Sequence, residues 1–144
     1  RIGYNYRLSA MQAALGLSQL ARLDENVARR RRTAAIYREH LSARGDVGTR
    51  EDPAGVRGSE WMSAILLPGE GRRDRLAAWL DERGVETRPF FHPIHRQPFV
   101  EWRRELPVAE ALGKSGLLLP SGNGVLDDDV HYIASLVEEG LEAC

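Results

Sequence analysis

Apolar residues recur along this chain in two rhythms, and the changes between them divide it into elements. Residues 10–20, Ala-Met-Gln-Ala-Ala-Leu-Gly-Leu-Ser-Gln-Leu, are apolar most of the way round a helix, the pattern of a helix inside a large protein. Ser9 followed by Gln12 is a capping-box pattern, so the spacing predicts a helix start at Ser9. Leu23-Asp24-Glu25 is a second start signal, because acidic side chains favour the positive end of the helix dipole. Val27, Ala34, Tyr37 and Leu41 then follow at helical spacing, predicting an amphipathic second helix to about Leu41. No Gly or Pro separates the two, so the pattern also allows one bent helix.

Gly45, Gly48, Pro53, Gly55 and Gly58 punctuate a loop. A short strand is predicted over 62–67, stopped by Pro68-Gly69-Glu70-Gly71. A helix over 72–83 should turn Leu76, Ala77, Trp79 and Leu80 inward and end at Gly84. Residues 85–88 read as a strand, and 89–98 as an aromatic loop broken by prolines. Pro107 suits the first position of a short helix to Leu112. Residues 117–119 read as a strand and 120–124 as a loop. Asp127 is expected to cap a last helix with the stripe Val130, Ile133, Ala134, Val137 and Leu141. From residue 59 the order is strand, helix, strand, loop, helix, strand, helix, which builds a small α/β layer.

Composition narrows the function classes. The chain has 144 residues, enough for one domain. Its net charge of −1 gives no overall field for nucleic acid or an anionic membrane. One cysteine, Cys144, supports neither a disulfide framework nor a cysteine metal cluster. No apolar run reaches the roughly 18 residues of a membrane span, and no signal-peptide pattern is visible. The expectation is a cytoplasmic α/β protein. Arg29-Arg30-Arg31-Arg32 invites a nucleic-acid reading. Successive helical residues step by about 100°, however, so the four spread around the helix and read as a solvated, partly ion-paired face. Lys114 is the only lysine.

The run Gly3-Tyr4-Asn5-Tyr6-Arg7-Leu8-Ser9, with the helix after it, resembles the segment that follows the catalytic half of the DegT/DnrJ/EryC1/StrS family. These are the pyridoxal-phosphate (PLP) dependent nucleotide-sugar aminotransferases. Two later stretches resemble the family in the same order: residues 84–95, GVETRPFFHPIH, and residues 118–124, LLPSGNG. Within the family, residues 88–93 and 59–63 are most similar to GDP-perosamine synthases and their relatives. The resemblance implies an α/β fold, the C-terminal small domain of a fold-type I PLP aminotransferase, preceded by the last helix of the large domain. Residues 1–22 would be the end of the large domain, 23–58 a linking helix and loop, and 59–144 the small domain. The chain then reads as the C-terminal part of something longer.

The resemblance also implies chemistry. The cofactor is PLP, and its Schiff-base lysine lies upstream in the family. Lys114 stands in a different motif, so no catalytic residue is assigned and the chain alone should not transaminate. The implied reaction moves an amino group, from glutamate, to a keto-sugar nucleotide such as GDP-4-keto-6-deoxymannose, for deoxyaminosugar or polysaccharide synthesis. The implied assembly is a homodimer with shared active sites. Asn5 would donate to the PLP phosphate of the partner subunit, as a neutral amide suits a phosphate oxygen; its alternative is a turn before Ser9. Arg7 would bind the pyrophosphate through its planar fork, or make a structural ion pair. Tyr4 and Tyr6 divide between packing and the cleft wall. Arg88, His92 and His95 would lie on the substrate side, His95 bonding the sugar or shaping its pocket, and Arg88 has an internal ion pair as its alternative. His92 and His95 also suggest zinc, but Pro93 opposes a helix that would put both on one face, and no metal is assigned. Residues 121–124 resemble a phosphate cradle, yet no P-loop pattern surrounds them, and a tight turn accounts for them. Two rival readings are a non-enzymatic α/β module that binds a partner through its first helix, and a lysine-less sensor.

Overall fold

The capping box forms: the Ser9 hydroxyl accepts from Gln12 N–H at 3.3 Å, and Gln12 Oε1 accepts from Ser9 N–H at 2.9 Å. It starts helix α1, Ala10–Leu20. The computed structural model describes residues 3–4, 6–101 and 104–143. No residue of α1 is buried, and Met11 and Leu17 remain 83% and 68% exposed. The apolar helix is therefore formed by local signals and lies uncovered. A turn at residues 21–22 separates it from α2, Leu23–Leu41, so the two are distinct helices.

Helix α2 belongs to the packed body. Its buried face, Thr33, Ala34, Ile36, Tyr37 and Leu41, lies against α5, Asp127–Ala143. There the predicted stripe Val130, Ile133, Ala134, Val137 and Leu141 is buried, with Leu136 and Gly140. The segment 23–58, expected to be a link, thus supplies core. It also supplies a strand that the glycine-rich loop pattern concealed: β1, Gly48–Thr49, pairs antiparallel with β2, Ser63–Leu66. Two residues are too few for an alternation pattern to show.

The sheet has four strands in the order β1-β2-β4-β3, where β3 is Arg88–Pro89 and β4 is Gly116–Leu119. All pairs are antiparallel, and Ser63 faces Leu119 while Arg88 faces Leu118. β4 is buried along its whole length, consistent with its unbroken apolar run in the middle of the sheet. α3, Arg72–Asp81, buries Leu76 and Leu80, with Ala77 and Trp79 packed against the core. It ends in a Schellman turn: Gly84 has φ +76°, Gly84 N–H donates to Asp81 O, and Val85 N–H donates to Leu80 O. That turn takes the Val85 amide, and the expected strand over 85–88 begins only at Arg88. α4, Pro107–Ser115, runs beyond Leu112, because Gly113 is accommodated inside the helix.

The start of α5 differs in one detail. Asp127 is its first residue, not its cap, and it pairs with Arg32. The Asp129 carboxylate accepts from Leu126 N–H at 3.0 Å. Asp127, Asp128 and Asp129 all sit in the first turn, where the dipole favours them. Asp46 accepts from Arg44 and Arg72, which together hold its carboxyl far below the usual range. Arg44 also reaches Glu142 at 2.7 Å. This network joins the segment after α2 to the start of α3 and the end of α5.

Candidate functional site

Two open grooves flank the β3 end of the sheet. The larger, about 1190 Å³, is lined by the turn 68–71, Arg73, Phe90, Phe91, His92 and Lys114. Its floor is a close approach of backbones. Phe90 N–H donates to Gly116 O at 2.9 Å, and a Cβ at Gly116 would stand 2.5 Å from Phe90 Cβ. A Cβ at Gly113 would stand 2.9 Å from Pro93 Cδ. Arg73 Nη1 donates to Gly113 O at 2.7 Å, and its guanidinium pairs with Asp74, also in the wall, at 2.7 Å. Glu70 and Asp74 in the same lining offset Arg73 and Lys114, so the groove offers aromatic faces beside polar groups of both signs.

At its rim, Phe91 stacks on Trp61, with centroids 6.2 Å apart and planes at 16°, and both rings are more than half exposed. Trp61 is presented by the loop that the arginine run of α2 grips. Arg30 donates to Trp61 O at 2.5 Å, and Arg31 to Gly58 O at 2.7 Å. Buried Glu60 lies between Arg38 and Arg50 at 3.5 and 3.4 Å. Its φ of +51° is the only positive value for a non-glycine among the described residues, a strained geometry that these ion pairs hold in place. Arg30 and Arg31, half-buried, shape this loop, while Arg32 turns to Asp127 on α5.

His95 lies elsewhere than a cleft wall. It is 1% exposed, does not line either groove, and its Nε2 stands 3.0 Å from Glu110 Oε1. Arg96 donates to the other oxygen, Oε2, at 2.9 Å, and Leu106 N–H to Oε1 at 3.4 Å. The bond from His95, then that from Arg96, pulls the Glu110 carboxyl down to about 2. Sequence reasoning singled out His95 and missed Glu110 and Arg96. Glu110 sits fifteen positions along the chain, beyond any local spacing rule.

The remaining candidates are dispersed. Arg88 lines the other groove, about 630 Å³, with Tyr132 and Ser121, and is paired with Glu86 at 3.0 Å. Tyr4 and Tyr6 are exposed and meet edge to face at 6.2 Å, bordering a hollow with Gly3 and Arg7. Asn5 lies outside the described residues. Residues 121–124 form a turn into α5: Ser121 Oγ accepts from Ser63 N–H, and Asn123 donates to Asn26. Among the described residues no three His, Cys, Asp or Glu side chains are grouped to hold a metal ion, and no helix is long and apolar enough to cross a membrane.

The sequence profile of the DegT/DnrJ/EryC1/StrS aminotransferase family matches residues 1–138. GDP-perosamine synthase from Escherichia coli O157:H7 is 35% identical over 139 residues, covering 96% of this chain and 38% of that protein. GDP-perosamine synthase from Caulobacter vibrioides is 37% identical over 146 residues, covering 97% and 39%. Among solved structures, S. venezuelae DesV in complex with a ketimine intermediate superposes with a TM-score of 0.89 at 30% identity, over 97% of this chain and 38% of that one. The chain therefore spans under two-fifths of the length of these relatives.

Proposed function

Because the chain belongs to the DegT/DnrJ/EryC1/StrS aminotransferase family, we propose that it is the C-terminal part of an enzyme that aminates a nucleotide-linked keto sugar. The amino donor in this reading is glutamate, and the acceptor is GDP-4-keto-6-deoxymannose. Glutamate leaves as 2-oxoglutarate, and the sugar ketone becomes a primary amine. The observation that carries the choice of acceptor is the identity to two GDP-perosamine synthases over nearly the whole chain. The exposed rings of Phe91 and Trp61 at the groove rim support it, since a sugar nucleotide presents a flat base, and exposed Lys114 in the wall is a cation for its pyrophosphate.

The family's cofactor is PLP, which when bound supplies the electron sink for proton movement between carbon atoms. In this reading Lys114 is not its covalent site. Lys114 is exposed in the last turn of α4, in the wall of an open groove. Our reading places the Schiff-base lysine in the part of the enzyme outside this sequence. It gives this chain the substrate loop around Phe91 and His92, with Arg88, Tyr4, Tyr6 and Arg7 as further substrate contacts. Asn5 is then the donor to the cofactor phosphate of a partner subunit in a cytoplasmic homodimer.

The test uses the intact protein with PLP, glutamate and the GDP-linked keto sugar. The expected result is the GDP-linked amino sugar and 2-oxoglutarate in equal amounts. Turnover of other nucleotide keto sugars but not this one would overturn the acceptor, and turnover of none would overturn the transferase reading. The 144-residue chain alone is expected to form no borohydride-trappable adduct with PLP. An adduct lost in Lys114→Ala would contradict that expectation.

A further inference from the structure

Among the described residues of 89–106, strand pairing occurs only at the start, with a single 3₁₀ turn, Ile94–Arg96. A loop of this length with so little structure of its own is either functional or poorly ordered. Most of its described side chains are exposed or half-buried, among them Phe91, Ile94 and Phe99, and His95 is its only buried one. The loop is nonetheless fixed at its beginning, where Phe90 and Pro93 sit against the bare backbones of Gly116 and Gly113. One carboxylate joins its middle to its end. Glu110, on the first turns of α4, receives His95 and Arg96 from the middle and the Leu106 amide from the end.

We propose that Glu110 is the positioning residue of this loop: by gathering His95, Arg96 and Leu106 N–H, it sets Phe91 and His92 against the groove that takes the sugar nucleotide. The proposal rests on the nucleotide-sugar reading above. The chemistry requires a carboxylate. It accepts at two oxygens and donates nothing, and all three partners are donors. A glutamine offers one acceptor oxygen and turns an N–H toward His95 or Arg96. The Arg96 bond is charge-assisted and loses most from that exchange. Burial makes His95 intolerant of losing its acceptor, because a buried donor left unmatched is costly. His92 lines both the large groove and the adjoining hollow of about 380 Å³, which Arg96, Glu110 and Lys114 also line. The anchor and the groove wall are thus parts of one surface, and the 3₁₀ turn reaches His92 through its cap Pro93, which also rests on Gly113.

The experiment compares wild type with Glu110→Gln in the intact PLP enzyme, using steady-state kinetics and amide hydrogen exchange. The expected result is a KM for the sugar nucleotide raised about tenfold, as one charge-assisted bond is lost. The kcat should stay within about twofold, and the KM for the amino donor should not change. Exchange should quicken in residues 90–101 and stay unchanged in β4 and α5. A glutamate that serves only stability would loosen the fold without moving KM. Failure of either readout to move, or faster exchange throughout, overturns the proposal. If Glu110→Gln does not fold, Arg96→Ala removes one of the three donors and keeps His95 in place, and a smaller KM rise with the same local exchange is expected. An enzyme that aminates no nucleotide sugar would fail the functional reading instead, and the exchange measurement would still decide whether Glu110 holds the loop.

Discussion

Gly116 shows how little room the loop floor leaves at the level of one residue. An added Cβ would meet Phe90 Cβ at 2.5 Å and the carbonyl oxygen of Leu112 at 2.7 Å, and the second is backbone that cannot rotate away. Gly116→Ala is expected to destabilise the chain by about 1–3 kcal/mol, the usual cost of overpacking, as read from urea unfolding midpoints. An unchanged midpoint would mean that the floor is looser than its contacts indicate. Glu110 makes a prediction in pH. Its carboxyl is lowered from 4.5 to about 2 in the folded chain, first by His95 and then by Arg96. Above about 4.5 the carboxylate is ionised in both folded and unfolded chains, and its bonds stabilise fully. Between about 4.5 and about 2 the unfolded chain takes up a proton that the folded one does not, so this stabilisation falls as pH falls. The stability gap between wild type and Glu110→Gln should therefore shrink across that window, measured by denaturant titration at each pH. A gap that stays constant would show that the Glu110 carboxyl is not depressed. Neither residue's role was legible in the sequence. Gly116 falls just before the predicted strand 117–119 and Glu110 inside the predicted short helix, and no local pattern marks either one.

What the chain spelled out most clearly was its elements, and the reason is range. The Ser9 capping box spans three residues, and the α5 stripe repeats within one helix, so each is decided by neighbours in sequence. β1 escaped because two residues carry no period. The expected strand at 85–88 gave way to the Schellman turn, which claimed the Val85 amide. α1 is the case where pattern and environment part. Its apolar circumference is that of an interior helix, yet Met11, Leu15, Leu17 and Leu20 are all exposed. A contiguous apolar surface of this kind favours association. The isolated chain is expected to self-associate in sedimentation, and a version starting at Asp24 to run as a monomer, since α2 onward carries its own core. Monodisperse monomers for both would show that α1 folds back and is covered.

For the whole molecule, the proposed homodimer turns on which subunit completes which site. A chain spanning under two-fifths of its relatives' length holds, at one end of its sheet, the loop proposed to meet the substrate, and the segment Gly3–Arg7 ahead of α1. The proposed role of Asn5 is to donate, from this N-terminal segment, to the cofactor phosphate held by the other subunit. Asn5→Ala should weaken PLP retention. A hydrogen bond to a charged group is worth about 1.5–3 kcal/mol, roughly tenfold to a hundredfold in affinity. The fold should remain, because the residue precedes the capping box. Complementation separates action in trans from action in cis. Asn5→Ala subunits are mixed with subunits lacking the catalytic lysine. If the asparagine acts across the dimer, one site of each mixed dimer carries both defects and the other carries neither, so activity returns towards half of wild type. If Asn5 serves its own subunit's cofactor, each site of the mixed dimer carries one defect, and verified heterodimers stay as inactive as the single mutants. That outcome would return Asn5 to turning the chain ahead of Ser9.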